Sequence, residues 1–299
     1  MEKILHITSG DICGDSLAKS GVAGEVFVWH DILYDGPRKP GWPDDTMLNT
    51  RAQFIEDATG EGLGKELVLN TLRNQYDKLS AAGEYENIVL WFDACLFDQS
   101  MLCHILNCLH MKEIKNVELL CIDSFPGIVP FNGLGQLHPS QFLSVYHKRR
   151  PVTEEQFLFA EKVDRAFALQ DIDAFLRISN ETDAPLPWVP AAVARWIKEY
   201  PDEATGLGQL EKLALEAIRG GKHTSREIFT AVAEMDTHPQ FWGDTTLWAK
   251  INSLALKNPP LVAIDGPETL LPQWETKTDI NLFRITALKN NNVKWGRLI

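Results

Sequence analysis

Asn87-Ile-Val-Leu-Trp-Phe92, Leu96-Phe-Asp-Gln-Ser-Met-Leu-Cys-His-Ile-Leu-Asn-Cys-Leu-His-Met111 and Val117-Glu-Leu-Leu-Cys-Ile122 follow one another with only short links between them. The first and third are brief, nearly continuous apolar runs, the pattern of a strand covered on both faces. The middle segment is longer and follows the first strand directly, so it reads as a helix. A strand, a helix and a strand in that order predict a parallel crossover. Working outward, similar apolar runs lie at 4–8 and 25–30, and helical patterns at 15–20, 46–59 and 65–82. The expected fold class is therefore α/β: a mainly parallel, Rossmann-like sheet of about four strands flanked by helices.

Past residue 122 comes a loop rich in turn formers, 124–135. A helix is expected from Pro139, since proline suits the first helical turn. It should end by Arg150-Pro151, where Lys148, Arg149 and Arg150 complement the helix C-terminus. Thr153-Glu-Glu-Gln156 is a capping box for a helix reaching about Leu169. The proline-bearing stretch 180–190 reads as a linker and 191–200 as a short helix. The last ninety or so residues change rhythm. Helices are expected at 210–219, from Thr224, and from Gly243-Asp-Thr245 to Lys257, followed by strands at 261–264 and 282–286. That order is the order of a winged helix, with Trp242, Trp248, Trp274 and Trp295 as core or interface residues. The expected organisation is an α/β domain over 1–150, a helical linker region over 151–205 and a winged-helix-like domain over 206–299.

Composition narrows the class. At 299 residues, 44% apolar and 23% charged, the chain is ordinary globular material, which excludes fibres and low-complexity tracts. Its start lacks the pattern of a signal peptide, and no stretch approaches the ~18 apolar residues of a membrane span. Five cysteines without paired spacing fit a reducing, cytoplasmic setting. From Gly206 onward 11 basic residues face 10 acidic ones, which leaves 18 against 31 before it. The acidic front part repels phosphate backbones, so nucleic acid is a poor partner there. The expected third helix of the last segment carries Asp244, Thr245, Thr246, Lys250, Asn252, Ser253 and Lys257, too sparse a basic footprint for a groove reader. A protein contact suits it better. A homo-oligomer is compatible with all of this.

In open parallel sheets ligands bind at the carboxyl ends of the strands. Here those ends run into Ser9-Gly10-Asp11 with Ser16 beyond, His30-Asp31, Asp93 with Asp98-Gln99, and Asp123. Asp11, Asp31, Asp93 and Asp123 would form an acidic cleft able to hold Mg²⁺ or Mn²⁺ through oxygen ligands. Asp11, Asp31, Asp93 and His30 are the catalytic candidates, as metal-binding or acid/base groups. Ser9, Gly10 and Ser16 would lie near an anion at a helix start, while Asp98, Gln99, Gln136 and His138 would contact and orient the substrate. Against this, aspartates follow strands simply because they cap helices and make Asx turns. Adjacent strand residues also point to opposite faces, so His30 and Asp31 share a cleft only if the strand has ended. Cys95, Cys103, His104, Cys108 and His110 match no zinc spacing and read as fillers of a buried helix face.

Five strings occur in order: His6-Ile-Thr-Ser-Gly-Asp11; Gly24-Glu-Val-Phe-Val-Trp29 with Asp31 and Asp35-Gly-Pro37; Leu90-Trp-Phe92 with Leu96-Phe-Asp-Gln99; Phe125-Pro-Gly127; and Gly133-Leu-Gly-Gln-Leu137. They resemble the uncharacterised bacterial family catalogued as domain of unknown function 1835, whose members commonly continue into a C-terminal helical domain of unknown function. The resemblance covers nearly the whole chain and implies no established activity. Two positions depart from it. His30 stands where the family usually has arginine, and Asp93-Ala94-Cys95 stands where a Glu-His-Asp triplet is usual. If that triplet carries catalysis, this chain keeps one carboxylate of it and lacks its histidine. The leading expectation is an enzyme, a metal-dependent hydrolase or phosphoryl or nucleotidyl transferase acting on a phosphorylated or nucleotide-like small molecule. The alternative is a non-enzymatic regulator or ligand sensor whose C-terminal domain contacts protein.

Overall fold

The computed structural model describes residues 3–239, 242–274 and 278–288. The chain divides into two compact units, the first built from 1–55 and 65–194, the second from 56–64 and 195–299. In the first unit β1 (Ile4–Ser9), β2 (Glu25–Trp29), β3 (Asn87–Asp93), β4 (Val117–Ile122) and β5 (Arg150–Pro151) form one sheet in the order β2-β1-β3-β4-β5. The first four are parallel, as the apolar runs predict. The fifth is a short antiparallel addition to β4 at the residues expected only to stop a helix. A proline is tolerated there because the strand lies at the sheet edge.

Helices flank the sheet and pack on one another. They are α1 (Asp11–Ala18), α2 (Asp45–Ala58), α3 (Lys65–Ser80), α4 (Leu96–Met111), α5 (Pro139–Val145), α6 (Glu154–Leu169), α7 (Ile172–Ser179) and α8 (Val189–Ile197). α1 begins four residues earlier than its apolar pattern suggests, because Gly10 at φ 70° turns the chain straight out of β1. One face of the sheet packs Trp91 and Leu120 against Leu17 of α1 and Phe142 of α5. On α4, every residue from Asp98 to Leu109 is buried, polar ones included. The cause is a second layer: α6 packs on α4 through a stripe that includes Phe157, Ala160, Val163 and Phe167.

That packing corrects the expected domain boundaries. Residues 151–194 belong to the first unit and are not a linker. The capping box does form, Gln156 N donating to Thr153 Oγ1 at 3.3 Å and Thr153 N to Gln156 Oε1 at 3.0 Å. The helix it opens closes the core and is not a spacer.

The second unit holds α9 (Gln209–Arg219), α10 (Ser225–Met235) and α11 (Asp244–Leu256), followed by β6 (Val262–Asp265) and β7 (Arg284–Ala287), which pair antiparallel. Its core gathers Leu210, Ala214, Ile228, Leu247, Ile251 and Phe283. Trp242 and Trp248 are buried in it as expected, while Trp274 is partly exposed and Trp295 lies outside the described residues. Among the described residues no helix is long and apolar enough to cross a membrane.

Candidate active site at the sheet switch point

The strand order places a switch point between β1 and β3, because the chain leaves β1 toward β2 and leaves β3 toward β4 on the other side. Such a point opens a crevice at the carboxyl ends of the two strands. Ser9 ends β1, half-buried, and its hydroxyl donates to Oδ1 of Asp98 in the first turn of α4. Oδ2 of Asp98 accepts the backbone N–H of Asp93 at 2.7 Å. Asp93, the last residue of β3, accepts from Cys95 N at 2.9 Å through Oδ1 and from Leu134 N at 3.1 Å through Oδ2. Gly133 makes that second bond feasible: it sits at φ 137°, and a Cβ on it would lie 2.3 Å from Asp93 Oδ2. Cys95 caps α4, its sulfur accepting from Asp98 N at 3.4 Å.

Asp93 is 8% and Asp98 2% exposed. Burial pushes the Asp98 carboxyl well above the usual carboxylate range, and the Asp93 charge beside it adds to the shift. Burial raises Asp93 too, opposed by its hydrogen bonds from Cys95 and Leu134. The two carboxyls therefore titrate as a pair. Burial also pushes up the thiols around them, Cys13 to about 12 and Cys95 and Cys121 well above the ordinary thiol value. These cysteines are protonated at neutral pH, and the half-buried hydroxyl of Ser9 is the nucleophile on offer.

The four aspartates expected in one cleft occupy separate settings. Asp31 is spent inside the protein. Its Oδ1 accepts from Arg51 Nε at 2.9 Å, from Arg51 Nη2 at 2.7 Å and from Ile32 N at 2.7 Å, with both side chains almost fully buried. Asp123 is exposed and accepts from Ser124 Oγ at 3.0 Å and Trp188 Nε1 at 3.1 Å. Asp11 is exposed, its Oδ1 2.8 Å from Nε2 of His30, which is about half as exposed. β2 ends at Trp29, so the pleat no longer governs His30 and Asp31, yet the two still part company, His30 to Asp11 and Asp31 to Arg51. Among the described residues, the group of His, Cys, Asp or Glu whose ligand atoms come within 4.8 Å of one another is Asp93, Cys95 and Asp98. All four of its carboxylate oxygens already accept a protein N–H or O–H. That closed, buried set is a poor cage for Mg²⁺, which keeps several waters and wants free oxygen donors.

Of the other candidates, Gly10 forms the turn and Ser16 lies half-buried on α1. Gln99 is buried, with Nε2 donating to Asp93 O at 2.5 Å and to Cys121 Sγ at 3.4 Å, so it buttresses the strand end. Gln136 folds back onto its own loop, accepting from Asn132 N at 2.5 Å, and His138 takes Gln141 Oε1 on its backbone N–H at 2.7 Å. The participants that the sequence did not announce are Cys95, read as filler, and the Gly133-Leu134 backbone. The Gly133-Leu-Gly string was visible as a turn, but a turn does not say which carboxylate it wraps.

A second polar cluster lies in the same unit. Asp164 of α6 is fully buried and accepts from Arg38 Nη1 at 2.6 Å, His104 Nδ1 at 2.9 Å, Asn107 Nδ2 at 2.7 Å and Gly41 N at 2.7 Å. On its other side His104 Nε2 lies 2.7 Å from the Tyr76 hydroxyl. Burial works against the Asp164 charge, yet His104, Arg38 and the hydrogen bonds together hold it below the usual carboxylate range. His104 is therefore a bonded core histidine and not an inert filler. Neither a family model nor a curated protein matches the chain.

Proposed function

We propose that the first unit is an enzyme of the hydrolase or transferase type, acting by acid–base and hydroxyl chemistry on a phosphorylated or nucleotide-like small molecule. The observation that supports this is the Ser9–Asp98 contact across the β1/β3 switch point, with Asp93 beside it. A carboxyl of raised proton affinity against a half-buried hydroxyl is suited to take that hydroxyl's proton and return it to a leaving group. The start of α1, immediately after Ser9-Gly10, offers unpaired backbone N–H groups to an anionic substrate. The Asp11–His30 pair on the same sheet edge supplies an exposed titratable partner. In this reading the pair of carboxyls shares a proton in place of a divalent ion. The five ordered strings support placing the chain in the domain of unknown function 1835 family. The three helices and antiparallel strands of the second unit support a winged-helix-like module that contacts protein.

The test is turnover of a panel of nucleotides and phosphate esters by the full chain and by Ser9→Ala, Asp98→Asn and Asp93→Asn. Loss of either Ser9 or Asp98 is expected to lower kcat/KM by about 10²–10⁴-fold. Turnover that survives both substitutions would remove the assignment. Turnover that instead requires added Mg²⁺ or Mn²⁺, with calorimetric binding abolished by Asp93→Asn, would return the site to metal chemistry.

A further inference from the structure

The sheet of the first unit has two edges, and the chain treats them differently. β5, at one end of the order β2-β1-β3-β4-β5, is two residues long, an arginine and a proline. Brevity, positive charge and proline are the devices that keep an edge strand from pairing with another chain. β2, at the opposite end, has five residues, Glu25-Val-Phe-Val-Trp29, with neither proline nor lysine among them. Its register with β1 runs without a bulge, from Glu25 opposite Leu5 to Trp29 opposite Ser9. Alternate residues of a strand turn N–H and C=O to opposite sides, so one set meets β1 and the other faces away from the sheet. Among the described residues, nothing outside β1 bonds the backbone of 25–29. The first such contact comes just past the strand, where Gln75 Oε1 accepts from His30 N at 2.5 Å. Val26, Phe27 and Val28 are apolar yet partly exposed. The single charge, Glu25, stands at the strand's start and is held by Lys78 and the Tyr85 hydroxyl.

The strand is its own complement. A two-fold axis at Phe27 sets a second copy antiparallel to the first, with Val26 opposite Val28, Phe27 opposite Phe27, and Glu25 opposite Trp29 of the other copy. Both alternate sets of a five-residue strand are symmetric about its middle residue, so every outward N–H and C=O finds a partner in this register. Aromatic and β-branched residues facing one another are the pairs that stabilise antiparallel strands. The two Glu25 carboxylates fall at opposite ends, each beside its own Lys78, and no like charges meet. An unrelated extended peptide would match the backbone alone.

We propose that β2 is a dimerisation edge that joins two copies of this chain, merging two five-stranded sheets into one. Sedimentation equilibrium of the full chain across a dilution series should resolve a species of twice 33.7 kDa. Amide exchange should find the outward N–H groups of 25–29 protected in concentrated protein and unprotected on dilution. Phe27→Lys sets two ammonium groups face to face on the axis and should weaken the dimer by at least about tenfold. Phe27→Cys should give a disulfide between copies under mild oxidation, because residues facing across an antiparallel pair lie about 4.5–5.5 Å apart at Cα, within disulfide reach. Glu25→Cys, whose counterpart is Trp29, and the parent chain should not. A chain that stays monomeric at its highest concentration would overturn the proposal. So would a dimer whose β2 amides exchange independently of concentration, a result the parent chain gives even where a variant fails to fold.

Discussion

At the scale of single residues, the first unit contains two carboxylates whose environments drive them in opposite directions. Asp98 is buried beside another carboxyl, so the folded protein binds its proton more tightly than the unfolded chain does. Its contribution to stability is then fully present below the ordinary carboxylate pKa of ~4 and is lost as pH rises through the elevated folded value. Denaturant titrations from pH 4 to pH 9 should accordingly show Asp98→Asn gaining stability relative to the parent as pH rises; a constant difference between the two would contradict the buried, proton-sharing pair. Asp164 has the inverse sign. Its folded form favours ionisation, so its contribution is present above ~4 and lost as pH falls through the depressed folded value. Asp31 is half of a buried ion pair with Arg51. Replacing it by asparagine strands Arg51, and urea unfolding should record a loss of about 3–5 kcal/mol. The catalytic role first read into Asp31 would thus be mimicked by instability, which is why turnover of that variant is a poor test of chemistry.

At the scale of elements, the sheet and its edge were legible because each strand is a short apolar run between turn formers, and burial on both faces writes that pattern strongly. The four parallel strands and α4 fall within a residue or two of the expected bounds. What was not legible was the partner each carboxylate takes, because that depends on contacts distant in sequence. Arg51 reaches Asp31 from a helix beyond a loop, and Leu134 reaches Asp93 from a turn past the next strand. β5 leaves no mark in the sequence for a related reason: two residues at a sheet edge carry no periodicity. Gly133 and Gly14 mark where backbone approach controls an element. A Cβ at Gly14 would lie 2.2 Å from Val28 Cγ2, so α1 docks on β2 only without it. Gly14→Ala should destabilise by roughly 1–3 kcal/mol through overpacking. Gly133→Ala should do the same and in addition change the pH dependence of stability, since it displaces the N–H that holds Asp93; an unchanged pH profile would detach that loop from the pair. In the second unit the Thr224 and Glu227 capping box predicts a loss of about 1 kcal/mol for Thr224→Ala, read by denaturant melts.

At the scale of the whole molecule, the charge asymmetry follows the acidic front part and the near-neutral tail, but the structural units do not follow the sequence so simply. The segment 56–64, the end of α2 and the link to α3, packs with the second unit, where Gln273 Nε2 donates to Ala58 O at 2.8 Å and Gly62 fits beneath Trp274, a Cβ there lying 2.5 Å from that side chain's own. A fragment beginning at residue 195 is therefore expected to melt at lower temperature than the same fragment carrying 56–64 on a flexible linker, a comparison circular dichroism can make; equal melting would mean that the segment contributes nothing. The excursion at 56–64 has a genetic corollary. Because the polypeptide visits the second unit twice, no single crossover or exon-like cut can transplant either half intact, and chimaeras with other proteins will need paired breakpoints flanking that loop.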